Sequence, residues 1–266
     1  MPKPLHWVPF TTCAASIPAA LEAVGAPSVL ARQRRILVKP NLVNASPPPV
    51  TLPCEAVKAL VLAIRRWSAA EIRIGEGTGD AALDTGEVFR RLGYVRVARE
   101  LGVELVDLNE APLVELSDPQ CSVFPSLWLP RVVVESFVVS FAVLKAHSLA
   151  GVTLSLKNMM GCAPPSRYGH GGTWKKSAFH RHMHASVYEL NRYRRPDLAL
   201  VDASVGLAEH HLGGRTCEPP VRRILAGFDP VAVDAEGARL LGIDWREVEY
   251  LRRAHGGLGK GAAEPT

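Results

Sequence analysis

Residues suited to acid–base chemistry and anion binding are concentrated between positions 145 and 184 of the chain. Lys145 and His147 lie two residues apart, directly after an apolar run. Because side chains alternate between the two faces of a strand, both would point into one cleft at its carboxyl end, unless this is a solvated strand end. A lysine and a histidine in one cleft can hold an anion and transfer a proton. We therefore predict an active site in this segment.

A polar face follows in the same segment. Thr153, Lys157 and Gly161 are spaced four residues apart, so a helix would place them on one narrow face, with Asn158 beside Lys157. Such a face could hold a carboxylate or a phosphate. If Lys145 lies close to Lys157, the like charges lower each other's pKa, and one lysine becomes neutral enough to act as a base or a nucleophile.

Two other strand ends are expected to contribute polar groups to the cleft. Lys39 and Asn41 flank a proline after the first core strand and could hold an anion, although a strand-ending turn would explain the same residues. Asp202 ends a later strand, and its carboxylate could orient a lysine or a histidine. The predicted catalytic residues are Lys145, His147, Lys157 and Asp202, and the predicted substrate-binding residues are Lys39, Asn41, Thr153, Asn158 and Arg167.

The sequence also contains a candidate metal site at His180, His182 and His184. On a helix the first and third would share a face, and on a strand all three would, so zinc, iron or nickel could be bound. Against a metal site, no acidic residue accompanies the triplet in helical register, and histidines near a helix start are common on surfaces. His210 and His211 form a weaker candidate of the same kind. A transition metal is therefore one candidate cofactor.

The elements that must position these residues follow a strand–helix–strand order. Residues 36–38 are typical of a strand, residues 55–67 of an amphipathic helix, and residues 71–74 of the next strand. This order predicts a parallel sheet. The glycine-rich loop that follows could cradle a phosphate, or it could form a tight turn that brings Glu76 or Asp80 near the cleft.

Later elements continue this pattern. A helix is predicted over 85–92, capped by Asp84 or Thr85, and another over 231–241, capped by Asp229 with Pro230 in its first turn. Further strands are predicted at 103–107, 137–144, 197–202 and from 224 onwards, with a hairpin or edge piece at 126–134.

The expected fold class is α/β, with a mostly parallel sheet and flanking helices. Residues 1–266 are expected to form a single domain, within which two lobes, 30–135 and 136–255, could enclose a central cleft. A glycine-rich tail at 256–266 is expected to be flexible.

The composition limits the classes of function. The chain has 266 residues, of which 47% are hydrophobic and 21% charged, which excludes disorder and a coiled coil. Its net charge of +5 suits an anionic small molecule, and no nucleic-acid-binding motif accompanies it, so we expect no nucleic-acid partner. No apolar run approaches the roughly 18 residues of a membrane span, so we expect no membrane association. The five cysteines lack any C-x-x-C pair, as is typical of reduced cytosolic proteins, so we expect a cytoplasmic protein.

Five segments of the chain together resemble a known family. They are Val38-Lys-Pro-Asn-Leu42, Leu144-Lys-Ala-His147, Val152-Thr-Leu-Ser-Leu-Lys-Asn-Met-Met-Gly161, Leu200-Val-Asp-Ala203 and Ala226-Gly-Phe-Asp-Pro-Val-Ala-Val-Asp-Ala235. In this order they are similar to the bacterial and archaeal family called domain of unknown function 362, over residues 30 to 259. Many members of that family are described as iron–sulfur proteins, often with a fused ferredoxin-like segment.

The chain departs from that description, because it has no cysteine-rich run. A self-contained four-iron four-sulfur cluster is therefore not expected, and redox chemistry would need a partner protein or an organic cofactor. The order of elements in the first half is also loosely similar to the N-terminal domain of the lactate racemase family. That family uses a nickel-containing organic cofactor with lysine and histidine at the site. The similarity favours a role for Lys145, His147 and Lys157 beside a metal or in proton transfer.

The sequence leads to one main hypothesis and two alternatives. The main hypothesis is an enzyme that holds an anionic small molecule in a cleft lined by lysine and histidine, for proton transfer or redox chemistry. The first alternative is a metal-dependent or iron–sulfur-associated redox enzyme. The second is a non-catalytic accessory protein that binds an anion or cofactor and presents it to another enzyme.

Overall fold

Strands and helices alternate along residues 2–261, the part of the chain that the computed structural model describes. The strands are β1 (His6–Pro9), β2 (Arg35–Pro40), β3 (Glu71–Glu76), β4 (Glu104–Asp107), β5 (Leu113–Ser117), β6 (Ser126–Pro130), β7 (Phe137–His147), β8 (Gly151–Thr153), β9 (Leu198–Leu207) and β10 (Arg223–Gly227). The helices are α1 (Cys13–Ala23), α2 (Ala26–Leu30), α3 (Cys54–Trp67), α4 (Thr85–Arg91), α5 (Tyr94–Leu101), α6 (Arg131–Glu135), α7 (Ser155–Asn158), α8 (Pro165–Tyr168), α9 (Ser177–His180), α10 (Met183–Arg194), α11 (Pro230–Leu240) and α12 (Glu249–Ala254), with a 3₁₀ helix at Met159–Cys162.

One mixed sheet organises these elements, in the order β1-β10-β9-β7-β2-β3-β4, with β8 paired to β7. The five strands from β9 to β4 run parallel to one another, whereas β10 pairs with β9, β1 with β10 and β8 with β7 in antiparallel fashion. The predicted fold class, a mostly parallel α/β sheet with flanking helices, is confirmed. Strands from both predicted lobes belong to this one sheet.

The order of the central strands creates a switch point. From β2 the chain proceeds outwards to β3 and β4, and it then returns to add β7 on the other side of β2. The loops that leave β2 and β7 therefore diverge, and a crevice opens between them at the carboxyl ends of these strands.

The central strand β7 shows why the sheet is buried on both faces. Its residues are apolar almost without interruption from Phe137 to Leu144, the pattern of a strand covered on both sides. Val138 and Ala142 pack in one hydrophobic core, while Val139 and Phe141 pack in the other. Each core covers one face of the sheet.

Both predicted helix caps are present. Asp84 Oδ1 accepts the Glu87 N–H at 2.6 Å at the start of α4. Asp229 Oδ1 accepts the N–H groups of Val231 and Ala232, at 2.9 and 3.1 Å, at the start of α11. The predicted piece at 126–134 divides into β6, which pairs with β5, and α6.

The segment 153–161 differs from the single helix considered above. Thr153 ends β8, Lys157 lies in the short helix α7, and Gly161 lies in the 3₁₀ helix. Helix α7 starts at Ser155 and not at Thr153. At its start the Asp234 carboxylate, from α11, accepts the Ser155 N–H at 2.8 Å and the Leu156 N–H at 2.9 Å. This cap comes from a distant part of the chain, so local spacing could not reveal it.

The predicted flexible tail is hydrogen-bonded as far as it is described. The Lys260 N–H donates to Asp229 Oδ2 at 2.7 Å, and the Gly261 N–H donates to His255 Nδ1 at 3.0 Å. Residues 262–266 of that prediction lie outside the described residues. None of the helices within residues 2–261 has both the length and the apolar character needed to cross a bilayer.

Candidate functional site

A cavity of about 350 Å³ opens at the carboxyl ends of β2, β3 and β7, beside the switch point of the sheet. The strand ends place Lys39, Glu76, Lys145 and His147 in its wall. Ligands of open α/β sheets collect in this position, and the volume lies near the lower end of the range for small-molecule sites, roughly 300 to 1,000 Å³. The cavity is thus the candidate functional site.

A buried ion pair forms one side of the cavity floor. Lys39 Nζ donates to Glu76 Oε1 at 2.6 Å, and both side chains are almost fully buried. The Glu76 carboxylate also accepts the backbone N–H groups of Leu42 and Gly77, each at 2.8 Å. Pairing and hydrogen bonds to the remaining lone pairs offset the cost of burying a charge, and this carboxylate has both.

The Asn158 amide links this ion pair to the next layer of the site. Its Nδ2 donates to the Lys39 carbonyl oxygen at 3.1 Å and to Ser140 Oγ at 3.0 Å. Its Oδ1 accepts Asn41 Nδ2 at 3.1 Å. Asn158 therefore fixes α7 against β2 and β7.

Lys176, from the loop before α9, closes the same side of the cavity. Its Nζ donates to Asn109 Oδ1 at 2.7 Å and to the Ala163 carbonyl oxygen. Burial lowers the pKa of this lysine to about 7. We call Lys39, Glu76, Asn158 and Lys176 the frame, because their polar groups are partnered within the protein.

Gly161 lies where no side chain would fit. A Cβ at this position would collide with Glu76 Oε1 and Lys39 Nζ. The 3₁₀ helix can approach the buried ion pair only because residue 161 has no side chain. The glycine thus serves the frame by allowing close packing, since the structure does not place it on a helical face with Thr153 and Lys157.

Lys145 and Lys157 also line the cavity. Lys145 Nζ donates to the Val50 carbonyl oxygen at 2.8 Å. Burial, followed by the nearby charge of Lys157, lowers the pKa of Lys145 to about 7. Burial lowers the pKa of Lys157 to about 8. No acceptor in residues 2–261 forms a hydrogen bond or an ion pair with the Lys157 ammonium.

The His147 ring is held in one tautomer by its own loop. Nδ1 accepts the N–H groups of Leu149 and Ala150, at 3.0 and 3.2 Å, so the proton of the neutral ring lies on Nε2. Burial and the charge of Lys157 hold the pKa of His147 far below its usual range. At neutral pH His147 is thus a neutral hydrogen-bond donor towards the cavity.

His211 stacks on His147, with ring centroids 3.7 Å apart and an angle of 15° between the planes. Burial, followed by the charge of Lys157, lowers the pKa of His211 to about 3. Two stacked neutral imidazoles beside a lysine are compatible with each other, whereas two imidazolium rings would repel each other and the lysine.

Several buried polar atoms of this wall have no partner within residues 2–261. They are Asn41 Oδ1, Thr153 Oγ1 and His211 Nδ1. Buried polar groups are almost always hydrogen-bonded in native proteins, so each unpartnered atom requires an explanation. We call Asn41, Thr153, Lys157 and His211 the open wall, because each carries a polar group that lines the cavity without a protein partner.

Most of the predicted site residues meet in this cavity, and two do not. Those that line it are Lys39, Asn41, Lys145, His147, Thr153, Lys157 and Asn158. Asp202 lies outside it, buried in β9 beside Val143, where its carboxylate accepts the Ser204 N–H at 2.9 Å. Arg167 also lies outside it, with its guanidinium 4.1 Å from the centroid of the Trp128 ring.

The three histidines proposed to hold a metal occupy different environments. His180 lines the cavity, and its Nδ1 lies 3.0 Å from the Lys176 carbonyl oxygen. His182 is exposed and borders a separate surface cleft, and His184 lies against the Tyr250 ring, with centroids 6.1 Å apart. Within residues 2–261, no three His, Cys, Asp or Glu side chains are grouped so that they could hold a metal ion.

The structure gives three cavity residues roles that were not predicted from the sequence. Lys176 and Trp174 lie in a loop without periodicity, so no sequence signal shows that this loop folds over the cavity. His211 was considered only as half of a weak metal pair. Its stacking on His147 joins two loops that are far apart in sequence.

Comparison with known proteins agrees with the motif argument. The model of the family described as Domain of unknown function (DUF362) matches residues 36–239, which include every strand that contributes to the cavity. No curated protein matches the chain. The family match covers more than half of the chain and contains all five motifs named above. The chain therefore belongs to the DUF362 family.

Proposed function

We propose that this protein is an enzyme that binds an anionic small molecule in the cavity and moves a proton on it. The observation that carries the proposal is the unpartnered Lys157 ammonium, which faces the cavity beside the other unpartnered groups of the open wall. Four lysines line the cavity, Lys39, Lys145, Lys157 and Lys176, whereas Glu76 is the single carboxylate of residues 2–261 that does so. Because Glu76 is paired with Lys39, the remaining charge favours an anion.

The open wall suggests what else the ligand carries. Lys157 and the Thr153 hydroxyl can both donate hydrogen bonds to an anionic group. Asn41 Oδ1 can only accept one, so a hydroxyl or N–H group of the ligand would satisfy it. We therefore infer a small organic anion with at least one hydrogen-bond donor.

The proton-transfer role follows from the protonation states. A lysine with a pKa of about 7 or 8 has a substantial neutral fraction near pH 7.5, so Lys145 or Lys157 could remove a proton from a bound molecule. His147 would not act as a base, because Nδ1 is occupied by two backbone donors. Its Nε2–H would instead donate to an oxygen on which negative charge develops.

The alternatives stay open as proposals. A non-catalytic accessory protein would use the same cavity for binding without turnover. The separate surroundings of His180, His182 and His184 give no support to a metal centre formed by this triplet. A cytoplasmic location is consistent with five free cysteines, and binding should therefore be measured under reducing conditions.

The first test of the proposal is calorimetric titration with sulfate, whose charge does not change between pH 6 and 9. Lys157→Met should weaken sulfate binding by at least about tenfold, the effect expected for loss of a charge-assisted contact in a buried site. Lys58→Met is the matched control, because Lys58 is a partly exposed lysine that is paired with Glu100 and does not line the cavity. Equal sulfate affinity in wild type and Lys157→Met would refute the anion site.

A second test separates an enzyme from an accessory protein. Small carboxylic acids with an acidic C–H bond are incubated with the protein in D₂O, and deuterium incorporation is followed by mass spectrometry. Incorporation that disappears in Lys157→Met but persists in Lys58→Met would support proton transfer. Sulfate binding without incorporation into any of the acids would support the accessory role.

A further inference from the structure

The mouth of the cavity carries exposed apolar side chains, which is unusual for the rim of an anion site. Leu149 is 57% exposed and Trp174 is 48% exposed, and both line the cavity. They are two of the four large apolar side chains that are exposed within residues 2–261. Neither of the other two, Trp7 and Leu62, lines the cavity, and Trp7 lies against the Arg223 guanidinium, 3.8 Å from its ring centroid. Exposed apolar groups that gather at one cavity indicate a binding surface.

The two rim residues are held in place by the backbone around them. The Leu149 N–H donates to His147 Nδ1 at 3.0 Å. The Trp174 carbonyl oxygen accepts the Ser177 N–H at 3.1 Å and the Ser177 hydroxyl at 2.6 Å. Lys176, two residues after Trp174, is anchored in the frame. The backbone at both rim residues is therefore hydrogen-bonded within its turn.

The wall of the cavity contains both apolar and polar side chains. Apolar side chains from Val43, Met160 and Leu212 line it together with the two rim residues. The unpartnered ammonium of Lys157 and the hydroxyl of Thr153 lie in the same cavity. A small inorganic anion would satisfy the polar groups but would leave the apolar wall in contact with water, at a cost in free energy that grows with the apolar area.

We propose that the anion bound here carries an apolar body of about the size of one ring, which packs against Trp174 and Leu149 while its anionic group meets Lys157. This inference rests on the proposed anion site and adds the chemical class of the ligand. A cavity of about 350 Å³ accommodates such a molecule. An aromatic face on the ligand would also stack favourably on the indole of Trp174.

The test compares two anions that share one head group, methanesulfonate and benzenesulfonate, each titrated into the full-length protein. Benzenesulfonate should bind at least about tenfold more tightly, the effect expected for burying one ring. Trp174→Ala should reduce this preference to about threefold or less, because it removes the apolar surface on which the ring would pack. Trp7→Ala is the matched control, because it removes another exposed tryptophan and should retain the preference. Leu149→Ser provides an independent rim variant, and thermal melting identifies any variant that fails to fold.

The outcomes separate this inference from the anion site on which it rests. A preference that survives in both rim variants, or equal affinities for the two sulfonates in the wild type, would overturn the apolar-body proposal. In that case Lys157→Met would still weaken both sulfonates, and the anion site would stand. If Lys157→Met leaves both affinities unchanged, the anion site itself is refuted.

Discussion

Two sets of residues that line the cavity, the frame and the open wall, hold similar polar groups in different ways. In the frame, each charged or amide side chain is partnered within the protein, as in the 2.6 Å ion pair between Lys39 and Glu76. In the open wall, Lys157 has no partner in residues 2–261, and Thr153 Oγ1 and His211 Nδ1 are buried without one. Both sets of residues line the same cavity, so location alone does not explain the difference.

The comparison separates polar groups that maintain the structure from those available to a ligand. Frame residues come from β2, β3, α7 and the loop before α9, and their mutual bonds fix these elements around the cavity. Open-wall groups do not bind each other, and each unpartnered atom costs stability in the absence of a ligand. The frame should therefore be needed for folding, and the open wall for binding.

The largest expected effect comes from breaking the frame. Glu76→Ala leaves the Lys39 ammonium buried and unpaired, together with the N–H groups of Leu42 and Gly77, and should lower the free energy of unfolding by about 3–5 kcal/mol. Glu135→Ala is the matched control, because Glu135 pairs with Arg35 at the surface, and it should cost at most about 1 kcal/mol. Urea unfolding of both variants provides the comparison. Similar losses in the two variants would contradict the structural role of the frame.

A smaller loss should follow from crowding the frame without removing a charge. Gly161→Ala places a methyl group against Glu76 Oε1 and Lys39 Nζ and should cost about 3 kcal/mol, the upper range for overpacking a buried site. Gly257→Ala is the control, since no atom lies within 4 Å of the added Cβ, and the variant should unfold like the wild type. Thermal melting measures both. If Gly161→Ala is as stable as the control, the frame does not need a glycine at this position.

The sequence predicted the strand ends better than the loops, for a physical reason. The apolar run of β7 identifies a buried strand. The parallel order then brings Lys39, Glu76 and Lys145 together where the carboxyl ends of their strands meet. These relations depend on local pattern and on topology rules that hold for most α/β sheets. They were sufficient to place most of the predicted site in one cavity.

The remaining features depend on contacts between distant residues. Asp234 caps α7 from 79 positions away, and this contact divides the predicted helical face. Lys176 is anchored by Asn109, 67 positions away, and so brings Trp174 to the cavity. Asp202 shows a different limit, because the predicted strand 197–202 continues in the structure to Leu207, so that the carboxylate lies in the middle of β9 and not at its carboxyl end.

The open wall should respond to mutation in the opposite direction from the frame. Lys157→Met removes a desolvated ammonium and keeps a side chain of similar length, so it should raise the free energy of unfolding of the ligand-free protein by about 2 kcal/mol at pH 7. Lys58→Met, at the partly exposed control position, should change it by about 0.5 kcal/mol or less. Urea unfolding without added anions measures both. A destabilised Lys157→Met variant would show that Lys157 is structural and would move it from the open wall into the frame.

The smallest effect expected is the pH dependence of anion binding. Below pH 7 the ammonium groups of Lys145, Lys157 and Lys176 are charged, and they lose their protons as the pH rises through about 7 and 8. Sulfate keeps its charge over this range, and the lowered pKa values of His147 and His211 keep these rings neutral, so the lysines dominate the change. Sulfate affinity should therefore fall about fivefold between pH 6 and pH 9, or about 1 kcal/mol.

Because the bound anion favours the charged lysines, binding near pH 7.5 should also take up protons, which calorimetry in buffers of different ionisation enthalpy detects. In Lys157→Met the fall should be shallower, since one titrating ammonium is absent. An affinity that rises with pH would require a binding group other than these lysines and would remove the distinction drawn between the open wall and the frame.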